Sequence, residues 1–167
     1  MYGLNGVINR CGVIAGPWQM GKVDQGFIAL WAAKHIFGGN LAYIGFGGSG
    51  KQVRDVLHIE DLYDLIKIQI NDIKKYSRQT FNVGGGIKNS ISLLELTRLC
   101  KEISGREIEI SKIQETRKAD IPLYITDNSK ITQLSGWFPK RELFRIVKDV
   151  FDWISKNKED LGRIFQG

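Results

Sequence analysis

Cysteine is scarce in this 167-residue chain. Its two thiols, Cys11 and Cys100, have no C-x-x-C spacing and no histidine cluster beside them, so a disulfide framework is excluded and neither a zinc nor a redox-pair pattern is present. Long apolar runs are missing too. None approaches the ~20 residues needed to cross a bilayer, and Met1 to Arg10 offers neither the basic nor the apolar region of an export signal. A cytoplasmic protein with no membrane partner is expected. Only three prolines are present, and 43% hydrophobic with 25% charged residues excludes a disordered or collagenous chain. The net charge of +6 is spread along the chain, and its densest basic patch, Lys112 to Lys118, contains Glu115. No nucleic-acid partner is expected from such a solvated distribution. The length suits one domain with one core.

Turn and periodicity signals divide the chain into alternating strands and helices. Leu4 to Ile14 reads as a strand that leaves its sheet at Gly16-Pro17. Gln25 to Phe37 has helical spacing and stops at Gly38-Gly39. Leu41 to Ile44 and Gln52 to His58 are short strands, and Ile59 to Ile73 is an amphipathic helix with acids at its start. Thr80 to Val83 is a strand ending in three glycines. Ser92 and Glu95 form an S-x-x-E capping box for a helix that runs to about Ile103 and stops at Gly105. Arg106 to Ile113 alternates as a strand does, and helices over 128–134 and 140–156 close the chain. The class is α/β or α+β.

One glycine motif misleads. Residues 45–50, GFGGSG, match the dinucleotide pattern G-x-G-x-x-G, and with Lys51 nearly complete a phosphate loop. Such loops open onto a helix whose amides meet the anion, whereas QVRDVL follows here and prefers a strand. Gln52 also stands where a Mg²⁺-binding hydroxyl is required. The segment therefore reads as a turn between strands. The more informative residue is Arg54, a guanidinium in an otherwise apolar strand. It needs an anion, either a ligand phosphate or a distant acid, because Asp55 points to the opposite face.

Several segments together carry a resemblance: GPWQMGKVDQGFIALW, GFGGSGKQVRDVLHIEDL, FNVGGGIKNSISLLEL, the R-x-x-D of Arg117 to Asp120, and SGWFPK. In order and separation they resemble the second half of an extended short-chain dehydrogenase/reductase, most of all the NAD-dependent CDP-paratose 2-epimerases. The resemblance implies the C-terminal part of a Rossmann-like fold with its mixed α/β substrate-binding lobe, one fragment over residues 1–167. It also implies that NAD is the cofactor and a CDP-sugar or related nucleotide sugar the substrate. Arg54 and Arg117 are then expected at the diphosphate, Asp120 at a ribose hydroxyl, and Asp24 and Gln25 near the sugar. Val13, Ile14 and Ala15 are expected near the nicotinamide. Val13 replaces an asparagine common in relatives, and Lys118-Ala119 replaces smaller or acidic residues.

The family's glycine-rich nucleotide loop is not expected in this chain, and the catalytic Y-x-x-x-K belongs on a helix before the first strand. Tyr2 is followed at the required place by Gly6, so no catalytic residue is assigned and the chain alone is expected to be inactive. In the intact enzyme the resemblance implies transient oxidation of a sugar carbon and hydride return to the opposite face. Two alternatives remain: a non-catalytic module whose first strand pairs with another polypeptide, or a nucleotide-sugar dehydratase or reductase of the same superfamily. A homo-oligomer, or pairing with the missing half, is compatible with each.

Overall fold

The computed structural model describes residues 3–21 and 26–165. It is a mixed α/β structure, built around a short strand that is buried on both faces. That strand, β4 (Val53–His58), follows β1 (Val7–Cys11), β2 (Val13–Ala15), α1 (Phe27–Phe37) and β3 (Leu41–Ile44). After it come α2 (Ile59–Asn71), α3 (Ile73–Tyr76), β5 (Gln79–Val83), β6 (Ser90–Ser92), α4 (Leu93–Ser104) and β7 (Ile110–Ile113). The chain finishes with β8 (Leu123–Tyr124), α5 (Ser129–Ser135), α6 (Leu143–Lys156) and α7 (Lys158–Phe165).

β4 pairs in parallel with β2 and β8 and antiparallel with β6. Separate parallel pairs join β1 to β5 and β3 to β7. Successive strand residues point to opposite faces, so Val56 enters a core formed with α1, α4 and α6, whereas Leu57 enters a second core with Leu65, Phe81 and Ile131. The single core expected from length is thus two clusters sharing β4 as a wall.

The expected strand over Leu4 to Ile14 begins at Val7 and is divided at Gly12. There the Gly12 N–H donates to the Val83 carbonyl at 2.9 Å, after which the chain changes partner from β5 to β4. A Cβ at Gly12 would lie 2.9 Å from Thr126 Oγ1 and 3.3 Å from Asp55 Oδ1, so only glycine passes this crossing without displacing them. Of Arg106 to Ile113 only the last four residues are strand, because β3 offers four partners and no more. The two-residue β8 and the short β6 escape periodicity altogether; both are strands by virtue of pairing with β4.

The capping box forms as expected: Ser92 Oγ accepts from the Glu95 N–H at 3.2 Å, and Glu95 Oε2 accepts from the Ser92 N–H at 2.9 Å. The Ser92 hydroxyl also donates to Glu95 Oε2 at 2.6 Å, and that bond, with the one from the Ser92 N–H, holds the Glu95 carboxyl below its ordinary pKa. Gly105 ends α4 in the left-handed conformation, φ 68°. His35 on α1 is fully buried, its Nδ1 2.7 Å from the Trp31 carbonyl oxygen. No described helix is long and apolar enough to cross a membrane.

Candidate functional site

Residues 45–50 form the turn that aims β4. Gly45, Phe46, Gly47, Gly48 and Gly50 all have positive φ, and a Cβ at Gly50 would press on the Tyr43 ring at 2.9 Å. The turn opens onto β4 rather than onto a long helix, which removes the phosphate-loop geometry. Pleat alternation then separates the next two charges. Asp55 is fully buried, its Oδ2 accepting the Gly86 N–H at 2.9 Å. Arg54 emerges on the other face.

The Arg54 guanidinium has protein partners at both ends. Its Nη2 donates to Asp120 Oδ1 at 2.7 Å and its Nη1 to the Val53 carbonyl at 2.8 Å. Of the two anions open to it from sequence, a distant acid is the one in contact. A cavity of about 440 Å³ nevertheless lies against the pair, lined by Arg54, Arg117, Lys118, Ala119 and Asp120 with Phe27, Gln52, Ile91 and Leu93. A second cavity of about 330 Å³ shares Phe27, Gln52, Leu93, Arg117 and Asp120, and reaches Lys34, Asn40 and Ser111. Shared walls make these two halves of one cleft, with three cations and one carboxylate at its polar end and Phe27 with Leu93 supplying apolar surface.

Arg54, Arg117 and Asp120 are therefore brought together from distant parts of the chain. Val13, Ile14 and Ala15 do not line that cleft. Ile14 and Ala15 line a separate cavity of about 240 Å³ with Gly16, Pro17, Trp18, Gln19 and Ile59. The Ile14 carbonyl accepts from Gln19 Nε2 at 2.8 Å, and Val13 packs against the first core. Asp24 and Gln25 lie outside the described residues. Tyr43 on β3 is buried and donates its hydroxyl to Thr97 Oγ1 at 2.8 Å, so its ring face is not available for stacking on a base.

Phe27, Gln52, Leu93 and the cleft role of Lys118 were not legible in the sequence: an aromatic on an amphipathic helix and a leucine after a cap look like core residues. A Y-x-x-x-K spacing also occurs at Tyr63 to Lys67 on α2. Lys67 Nζ sits 5.4 Å from the Tyr63 ring centroid, and Tyr63 is 58% exposed. Neither residue lines the three cavities, so this spacing places no base beside the cleft.

His58 ends β4 and caps α2. Its Nδ1 accepts from the Glu60 N–H at 3.1 Å, which leaves the proton on Nε2, 3.4 Å from Asp149 Oδ2. Desolvation is the largest influence and lowers its pKa despite nearby carboxylates, so the ring is neutral and structural. Nearby, Arg141 grips the buried Asp61 at 2.6 Å and Glu60 at 2.6 Å, tying the chain before α6 to α2. Among the described residues no His, Cys, Asp and Glu cluster could hold a metal ion.

Known proteins share the fold of this chain. The sequence pattern described as the NAD dependent epimerase/dehydratase family matches residues 1–84. The chain is 34% identical over 157 residues to the CDP-paratose 2-epimerase of Salmonella typhi, covering 93% of this chain and 46% of that protein. It superimposes on the Thermotoga maritima UDP-glucose 4-epimerase with UDP-glucose at a TM-score of 0.76 and 25% identity, covering 94% of this chain and 48% of that one. A dTDP-glucose 4,6-dehydratase from Streptomyces venezuelae, solved with NAD bound, gives a TM-score of 0.79 at 24% identity, covering 95% and 46%. The chain spans about half the length of each of these relatives.

Proposed function

This chain belongs to the NAD dependent epimerase/dehydratase family, and from that premise we propose that it is the substrate-binding half of a nucleotide-sugar epimerase of the CDP-paratose 2-epimerase type. The observation that carries the reading is the cleft: Arg54 from β4 and Arg117 from the segment before β8 line one cavity of about 440 Å³. Two guanidiniums on one diphosphate are chemically apt, because each planar fork can grip phosphate oxygens with two N–H groups. Lys118 adds a third cation as a point charge. Phe27 and Leu93 supply apolar wall for the nucleoside or sugar, and Asp120 is an acceptor for a hydroxyl. The work of these residues is binding and orientation. The preference for a CDP-sugar rests on the identity to the Salmonella typhi enzyme.

The residues expected near NAD fit only part of it. Ile14, Ala15, Gly16 and Pro17 wall a small, mostly apolar cavity suited to one flat ring. It has no cation and no glycine-rich helix start for a pyrophosphate. No catalytic step is assigned to this chain. The setting is cytoplasmic, and the assembly is a homo-oligomer or a union with a polypeptide that completes the fold.

A titration tests the reading. CDP added to the chain in a calorimeter should bind, and Arg54→Ala and Arg117→Ala should each weaken it by about tenfold to a hundredfold, as loss of a charge-assisted contact worth about 1.5–3 kcal/mol requires. Unchanged affinity in both variants would end the diphosphate assignment.

One observation favours a second reading, a non-catalytic interaction module. The β1–β5 pair has one uncovered face, where Ile8 is 61% exposed, and α2 carries an exposed apolar stripe of Ile59, Tyr63, Ile66 and Ile70.

A further inference from the structure

The carboxylate on Arg54 is held in place by its own turn. The Asp120 N–H donates to the Arg117 carbonyl at 3.0 Å, and between them Ala119 adopts φ 82°, a left-handed conformation that is sterically costly for a residue with a Cβ. Asp120 Oδ1 accepts from the Ile121 N–H at 2.9 Å as well as from Arg54 Nη2 at 2.7 Å. The carboxylate would thus keep a backbone donor if the guanidinium turned away. The Arg54 and Asp120 side chains are only 22% and 29% exposed, and both line the cavity of about 440 Å³.

A carboxylate and a phosphate compete for the same planar fork. The geometry points to Asp120 as a specificity-determining residue that occupies Arg54 in place of a phosphate. It yields fully to a ligand that brings both an anion for the guanidinium and a hydroxyl donor for the released carboxylate. A nucleoside diphosphate has both, the donor being a ribose hydroxyl; inorganic pyrophosphate has no sugar hydroxyl. Asp120 therefore discriminates against bare polyanions, which would bring its negative charge close to their own and offer no sugar hydroxyl in place of the guanidinium it loses. This inference rests on the diphosphate reading of Arg54 and Arg117.

The test is a pair of calorimetric titrations, with inorganic pyrophosphate and with CDP, on the wild-type chain, Asp120→Asn, Asp120→Glu and Arg54→Ala. Removing a negative charge favours any anion, so the ratio of the two affinities is the decisive quantity. For Asp120→Asn, pyrophosphate should bind about fivefold tighter, the upper range for one partly exposed ion pair, while CDP gains less or loses, so the preference for CDP falls. Asp120→Glu, which keeps the charge, should keep most of that preference. Should Asp120→Asn melt below the wild type, Asp120→Ser replaces it in the same comparison.

Equal gains for both ligands, or a loss for pyrophosphate, would overturn the role of Asp120 while leaving the diphosphate reading intact, provided that Arg54→Ala still weakens CDP. If the wild type bound neither ligand, or Arg54→Ala altered neither, the diphosphate reading would fall and this inference with it.

Discussion

His35 and His58 show how burial sets the chemistry of single side chains. Desolvation dominates at each ring and lowers its pKa from 6.5; at His35 a bond to the Trp31 backbone opposes it, and at His58 the charges of Glu60 and Asp149 do. A histidine whose folded pKa is depressed binds its proton more readily when unfolded. Its contribution to stability is therefore complete above pH 6.5 and is lost as the pH falls toward the folded value. The slope for each ring has a ceiling of about 1.4 kcal/mol per pH unit within that window, and the urea midpoint should drop as the pH falls from 7 to 5; a flat profile would show that both rings protonate freely in the fold. The thiols divide the same way. Burial pushes Cys100 far up, whereas Cys11 is exposed and raised less, which leaves Cys11 the more reactive in the native chain.

Among the elements, β4 depends on the turn over 84–86 for its buried acid. Gly84 and Gly85 run so close to it that a Cβ on Gly84 would enter Asp55 Oδ2 and Thr126 Oγ1, and one on Gly85 would enter the Val56 carbonyl oxygen. Backbone cannot move aside as a flexible side-chain tip can. Gly85→Ala should therefore cost about 3 kcal/mol or more, read as a lower urea midpoint with unchanged slope. Glycine clusters were visible in the sequence as turns, but the close approach behind this one was not, because Val56 lies outside the turn's local neighbourhood. By contrast, the cap of α4 and the apolar face of α6 were legible directly, since each depends on residues three or four places apart.

At the scale of the molecule, the β1–β5 pair is unusual. Parallel strands are ordinarily covered on both faces, yet here Asn9 turns to Gln69 of α2, a mutual pair at 2.8 and 2.9 Å, while Ile8 on the opposite face stays exposed. Together with the α2 stripe this leaves apolar surface of the kind that drives association. Light scattering should show association that grows with concentration, and Ile8→Lys with Ile70→Lys should reduce it without lowering the melting temperature, because neither side chain is buried. A wild-type chain that stays monomeric throughout would show that these surfaces need no cover.

Local chemistry alone sets the glycine turn before β4, the strand that follows it, the S-x-x-E cap, and the alternation that sends Arg54 and Asp55 to opposite faces. All of these are governed by near neighbours, and periodicity records them faithfully. Packing alone assigns Asp120 to Arg54 across 66 positions of sequence, breaks the first strand at Gly12, buries His35, and adds Lys118 and Phe27 to the cleft. Each of these depends on which distant segments come into contact, and that is decided when β4 gathers partners from three separate regions of the chain, not by any pattern within one of them.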